Sequence, residues 1–326
     1  MATTVNNAFN EFLKEIVNLD SNVTSKARAS RNNLISNINN FSGSNDFFRV
    51  YKDKTLNYGS FARKTKIREL DDIDIMLCLS ADRRTYTEFS DSFIIYGIES
   101  DIDNNLCNIS TNELNSTKVI NRFISKLENL NDYKKSEMHK NHEAATLQLK
   151  SYTWNFDIIP CFHTDLDFYL IPDGSGGWKK TDPRIDSTNV SSINQKHSGN
   201  VLNVIRLTKF WNIYNSSYNI PSYLLETIIL NYYKNLEKKD NYWVDLEFRN
   251  ILEYISNEIL KDIYDLKGIQ GNINSFSPSE RKKISQKAIL CLNKAIDAIT
   301  LETTSQQASI NKWREIFGEK FPQYTE

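Results

Sequence analysis

Asp72 and Asp74 stand two residues apart at the head of an apolar run, Ile73 to Leu79. On a strand, residues i and i+2 leave the same face, so the two carboxylates lie side by side. Like charges that close both stay ionised at neutral pH only with cations between them. Mg²⁺ suits this demand, because it is hard, prefers oxygen and shares carboxylates with substrate phosphates. Asp157, within "WNFDIIP" (154–160), is a third acid on the polar phase of a separate strand. Three carboxylates from two neighbouring strands meet the needs of a two-metal phosphoryl-transfer site. D-x-D alone is equally compatible with a solvated strand end; Asp157 shifts the balance towards chemistry. Asp71 lies one residue off the strand phase and is expected to point away from the other two.

Gly59 and Ser60 precede Asp72 by eleven intervening residues. Glycine lets backbone approach a phosphate closely, and serine offers a hydroxyl and an N–H at a helix start, where the dipole favours anions. A lone Gly-Ser is usually only a turn, so the spacing to the acids carries the information. Other signals fail. His139-x-x-His142 beside Glu143 has no cysteine pair to complete a zinc site. No G-x-x-x-x-G-K-[ST] exists, which excludes a P-loop. Cys78, Cys107, Cys161 and Cys291 are scattered and read as reduced thiols of a cytoplasmic protein.

These residues need elements to hold them. Apolar spacing predicts one long or two consecutive helices over 6–40, a turn at Tyr58–Ser60 with a short helix over 61–64, and a strand from Ile73 to Leu79. Residues 85–97 fit strand or helix, and 116–131 a helix. Residues 144–162 read as two strands split near Lys150–Tyr152. In the second, Trp154, Phe156 and Ile158 face one way and Asn155, Asp157 and Ile159 the other, until Pro160. Residues 171–184 read as a loop, with Trp178 as its anchor or a nucleotide contact. From Gly199 onward helices are expected near 199–214, 222–235, 243–264, 279–300 and 305–317, one opened by Ser277-Pro278-Ser279-Glu280 as a capping box. The domains are therefore a mixed α/β part, 1–198, and an all-helical part, 199–326.

The chain has 326 residues, 40% hydrophobic and 25% charged, with a net charge of −1. That is ample for a core, and leaves no overall field to draw the chain to nucleic acid or membrane. No apolar run approaches 18 residues, and the N-terminus lacks a signal-peptide succession. By default Lys209 is a solvated helix residue, Tyr223 a core residue, and Arg63, Lys64, Lys66 and Arg68 a solvated basic face.

"GSFARKTKIRELDDIDIMLCL" (59–79) resembles the signature of the polymerase-β-like nucleotidyltransferases, in their cGAS/DncV-like (CD-NTase) branch. The matching residues are Gly59, Ser60, Ala62, Arg63, Thr65, Ile67, Arg68, Asp72 and Asp74. "FDIIPCF" (156–162) resembles the third-acid strand, "GGWKKTDPR" (176–184) the W-x-x-T-D-P loop, and "VIRLTKFWN" (204–212) with "PSYLLE" (221–226) the R-x-x-K-x-W helix and S-Y element. "INKWREIFGEKFP" (310–322) is similar to the closing helix.

The resemblance implies an α+β fold: a mixed-sheet nucleotidyltransferase core followed by a helical part, bilobal with a central cleft. It implies that Asp72, Asp74 and Asp157 hold two Mg²⁺, for which Mn²⁺ can substitute, and that Asp157 is the general base. Gly59 and Ser60, with Lys209 and Ser222, would hold a nucleotide triphosphate; Tyr223 would stack on a base; Asp182 and Arg206 would lie near the nucleotide. It implies an enzyme that converts NTPs into a cyclic di- or trinucleotide messenger in bacterial anti-phage signalling. The expected protein is a cytoplasmic monomer whose product acts on a separate effector, with no membrane and no nucleic-acid activator. A linear oligonucleotide or RNA-end synthase, and an inactive nucleotide sensor, are the alternatives.

Overall fold

The computed structural model describes residues 2–43, 46–90, 92–215 and 219–326. Chain contacts divide it into two compact units. One, the sheet unit, comprises Ser21–Arg63 and Leu70–Arg184; the other, the helical unit, comprises Met1–Asp20, Lys64–Glu69 and Ile185–Glu326. The boundary read at 198/199 follows chain order. The units follow packing, and so group the first twenty residues and 185–198 with the later helices.

In chain order, α1 (Val5–Phe12) runs on as a π-helical stretch, Leu13–Val17, before α2 (Ser21–Phe41). The expected 6–40 helix is thus two. Then come β1 (Leu56–Tyr58), the four-residue α3 (Gly59–Ala62), β2 (Asp72–Leu79), β3 (Thr85–Glu88) and β4 (Phe93–Tyr96). The 85–97 ambiguity resolves as two strands, with residue 91 outside the described residues. α4 (Asp101–Leu106) and α5 (Ser116–Glu128) precede the hairpin of β5 (Glu137–Asn141) and β6 (Ala144–Gln148), then β7 (Asn155–His163), β8 (Tyr169–Pro172) and β9 (Trp178–Thr181). The helices that follow are α6 (Pro183–Lys196), α7 (Val201–Asn215), α8 (Ser222–Asn235), α9 (Val244–Glu258), α10 (Pro278–Glu302) and α11 (Gln306–Phe317).

Among the described residues the sheet has nine strands, with β1-β2-β7-β8-β9-β4-β3 along its main path and β6 also on β7. β2 and β7 are parallel neighbours at its centre. Their inner face (Ile73, Ile75 and Leu77; Phe156 and Ile158) is buried. The 171–184 loop expectation is corrected: 173–177 is loop, the end of β8 takes 171–172, β9 takes 178–181, and α6 starts at Pro183 after Asp182. Glycine and proline at both ends mask the four-residue strand. Trp178 is its anchor, buried against Phe162 at 5.3 Å with its indole N–H on the Leu114 carbonyl.

The helical unit closes on aromatic rings. Phe9 packs edge-on against Trp313 and Phe321, each at 5.0 Å, and Phe12 against Phe210 at 5.0 Å. α11 ends at Gly318, with φ 76°, where a Cβ would meet the Tyr214 hydroxyl at 1.8 Å; only glycine fits. No helix among the described residues is long and apolar enough to cross a membrane.

α10 starts as its sequence dictates. The Ser277 hydroxyl accepts from the Glu280 N–H, and Glu280 accepts from the Ser277 N–H. Ser277→Ala is expected to lower stability by about 1 kcal/mol, read as an earlier urea midpoint, and Ser277→Asp to retain it. An unmoved midpoint in Ser277→Ala would show the cap to be idle.

Candidate active site

The register of the central strands brings the predicted acids together. Asp74 is the direct partner of Asp157, and Asp72 of Asn155. All three carboxylates therefore leave one face of two adjacent parallel strands. Across the neighbouring strands, Tyr58 of β1 pairs with Asp74 and Thr146 of β6 with Asp157. The result is a row Tyr58–Asp74–Asp157–Thr146. Thr146 donates its hydroxyl to Asp157 Oδ1 at 2.6 Å. Burial pushes the Tyr58 phenol well above its ordinary pKa, and the charges of Asp74, Asp157 and Glu143 add to the effect. Asp71 is exposed, and its backbone carbonyl bonds the Asn155 N–H.

Further along the same face the character changes from acidic to apolar. Met76 faces Ile159, then Cys78 faces Cys161, within a buried cluster that includes Ala144 and Tyr169. The acids thus sit at the polar end of an otherwise greasy surface. Among the described residues no set of three His, Cys, Asp or Glu side chains already stands at metal-ligating geometry.

Gly59 lies directly against this row. Its φ is +73°, and a Cβ there would fall 1.7 Å from Asp74 Oδ2 and 2.5 Å from Cγ. The Gly-Ser turn and the D-x-D strand are therefore in contact through a gap that only a glycine leaves open. Ser60 is half-buried on α3.

Asp182, also in the sheet unit, is buried and engaged. Arg184 donates Nε to its Oδ1 at 2.9 Å and Nη2 to its Oδ2 at 2.7 Å, while Nη1 reaches Asp167 at 2.9 Å. Hydrogen bonds from Arg184, then His163, hold the Asp167 carboxyl down at about 2.

The remaining predicted residues belong to the helical unit. Lys209 is buried, and its ammonium donates to Glu226 Oε1 and, at 3.1 Å, to the Thr65 carbonyl. The Thr65 hydroxyl donates to the same carboxylate at 3.0 Å. Arg206 donates to the Lys64 carbonyl at 3.1 Å and to Asn203, and burial lowers its pKa. Arg68 donates to the carbonyls of Asn18 and Lys14. The segment "KTKIRE" (64–69) is therefore a strap sewn into the helical unit, not the solvated basic face expected. Its binding through backbone carbonyls leaves no trace in charge pattern. Ser222 is exposed at the start of α8.

Tyr223 is half-buried, and its hydroxyl donates to Asp265, lies 2.9 Å from Asp186 Oδ1 and accepts from Lys267 at 2.7 Å. Burial first, then these carboxylates, push its phenol far up. Burial opposes ionisation of Asp265, yet Tyr223, backbone N–H groups and Lys267 hold its carboxyl below the usual range. The sequence reading gave no role to Tyr58, Thr65, Thr146, Asp186, Glu226, Asp265 or Lys267. Thr65 and Glu226 stand within the motif stretches, and Thr146, on the strand before Asp157, had a signal in its place in the hairpin register.

No protein-family model matches the chain. It is 42% identical, over 99% of its length and 99% of the relative's, to a protein described as a probable cyclic nucleotide synthase of Bacillus cereus strain VD146. It is 25% identical, over 59% of its length and 57% of the relative's, to the cyclic AMP-AMP-AMP synthase of an Acinetobacter strain. Its fold superposes on CdnC of Escherichia coli MS115-1, solved with ATP, at a TM-score of 0.71 and 14% identity, covering 97% of this chain and 98% of that one. The full-length kinship shows that the chain belongs to the cGAS/DncV-like nucleotidyltransferases, the CD-NTase family of cyclic nucleotide synthases.

Proposed function

We propose that this protein joins NTPs into a cyclic di- or trinucleotide, releasing pyrophosphate at each bond, and that the product signals to a separate effector in bacterial anti-phage defence. The observation that carries the reading is the pairing of Asp74 with Asp157 on parallel strands, with Gly59 pressed against Asp74, in a chain so closely akin to a cyclic nucleotide synthase.

Asp72, Asp74 and Asp157 would hold two Mg²⁺ ions, with Mn²⁺ as a substitute. The donor set fits: three hard carboxylates on one face, beside a backbone that a single Cβ would block. When bound, the ions supply Lewis acidity to the attacking hydroxyl and charge compensation to the departing pyrophosphate. A ribose hydroxyl of one nucleotide attacks the α-phosphorus of another; the new P–O bond forms as the bond to pyrophosphate breaks. Asp157 accepts the hydroxyl proton, and Thr146 fixes one of its oxygens and so the plane of the carboxylate. Gly59 and Ser60 receive the donor triphosphate. Lys209, Ser222 and Tyr223 are further nucleotide ligands in this proposal, Tyr223 through its ring. Asp182 and Arg206 act near the nucleotide by positioning, one through Arg184 and the other through the strap carbonyl of Lys64.

Incubation with all four NTPs and Mg²⁺ or Mn²⁺, then phosphatase, should leave a species whose mass is that of a cyclic product. Asp72→Ala with Asp74→Ala should abolish it. Only nucleosides surviving, with both metals, would overturn the cyclase reading; a phosphatase-sensitive oligomer with a 5′-triphosphate would establish the linear alternative. Gly59→Ala should cut turnover by about 100-fold, since displacing a catalytic carboxylate by about an ångström costs that much. Retained turnover would mean that Asp74 can shift harmlessly. Lys209→Met strands the buried Glu226 charge and should destabilise by about 3–5 kcal/mol, relieved by adding Glu226→Met. If that double variant recovers activity as well as stability, Lys209 is a structural partner and not a triphosphate ligand.

A further inference from the structure

Tyr223 is more tightly fixed than a base-stacking residue on an otherwise free rotamer would be. Its hydroxyl is shared among Asp265, Asp186 and Lys267. The Lys267 ammonium also stands 4.2 Å from the ring centroid, at the hydroxyl end of the ring. Lys267 is in turn held by Asp186 at 3.1 Å and Asp265 at 3.3 Å, and all three charged side chains are nearly or fully buried. Asp265 is anchored by its own loop, accepting the N–H groups of Lys267, Ile269 and Gln270. Asp186 comes from α6, Tyr223 from α8, and the loop from the segment before α10, so three parts of the helical unit converge on one phenol. With its hydroxyl engaged by three side chains, this half-buried residue has its ring held in one orientation.

We infer that Asp186, Asp265 and Lys267 are positioning residues that hold Tyr223 as a preset stacking platform for a nucleobase. This rests on the nucleotide-binding reading of Tyr223 and adds the apparatus that sets it. A ring free to rotate loses conformational entropy when a base lands on it; a ring already locked does not, so the affinity gained from stacking is realised in full. The lysine contributes twice, by a hydrogen bond that seats the phenol and by a positive charge at its hydroxyl end that draws electron density from the ring, which favours an electron-rich base on it.

The test uses the full chain with ATP, GTP, CTP and UTP, reading KM and kcat for each and binding by calorimetry with Ca²⁺ in place of Mg²⁺. Tyr223→Ala should raise KM by about 5- to 100-fold, the range of one base–aromatic stack. Tyr223→Phe keeps the ring and removes its tether, and Lys267→Met removes the cation that holds the hydroxyl; each should raise KM several-fold, with the change falling on KM and not kcat. Lys267→Arg keeps a cation at the hydroxyl and should recover KM. Tyr223→Phe and Lys267→Met with KM unchanged, beside a raised KM in Tyr223→Ala, would overturn the positioning role while leaving the stacking intact. An unchanged KM in Tyr223→Ala would remove the stacking itself, and wild-type protein that binds no NTP would remove the parent reading. Thermal melting of Tyr223→Phe guards against loss of fold, since that substitution preserves the ring's packing.

Discussion

Everything in the sheet unit is arranged around one unfavourable proximity. Neighbouring strands run about 5 Å apart, and two unit charges at that spacing repel by about 3 kcal/mol even at an effective dielectric of 20. Parallel pairing of β2 with β7 in their register imposes that spacing on Asp74 and Asp157. A one-residue slip would relieve it by sending one carboxylate to the inner face, where the buried Ile73, Ile75, Phe156 and Ile158 forbid a charge. The hydrophobic pattern of the two strands thus holds the acids together against their own repulsion. What it creates is a place of negative potential at the polar end of an apolar surface, suited to cations that bring phosphates with them.

The flanking strands manage the same charge in different ways. Thr146 offers Asp157 a neutral donor, which stabilises a carboxylate without neutralising it. Tyr58, opposite Asp74, keeps its proton more firmly because burial and the acids both disfavour a phenolate there. Gly59 contributes by having no side chain: Asp74 occupies the volume a Cβ would fill. The turn that precedes the acid strand and the acid strand itself are for this reason one structural object, though eleven residues separate Ser60 from Asp72.

How much of this could be read from the chain depended on whether the signal was local. Asp72 and Asp74 were legible because a two-residue period fixes their common face, and Asp157 because Phe156 and Ile158 alternate around it. The N-cap of α10 was legible in four residues. β9 and α6 were not, because Gly174 to Gly177 and Pro183 surround a four-residue strand with loop composition. The strap over 64–69 misled for a different reason. Its lysines and arginines suggested solvent, whereas Thr65 is fully buried and the segment is held through its carbonyls and the Thr65 hydroxyl. Partners such as Glu226 for Lys209, or Asp265 for Tyr223, lie 17 and 42 residues away and leave no periodic trace.

The helical unit repeats the logic of the sheet with opposite means. There, buried charges are paired and not crowded: Lys209 with Glu226, and Lys267 between Asp186 and Asp265. Such pairs gain little net stability, because desolvating both ions consumes most of their attraction. What they gain is geometry. A hydrophobic contact would have let the strap and the Tyr223 ring settle anywhere within a few ångströms. Hydrogen-bonded charges admit one arrangement, since each alternative strands an ion out of water. The sheet unit sets its acids side by side on one face of two parallel strands. The helical unit spends its ion pairs on fixing an aromatic ring and a backbone strap.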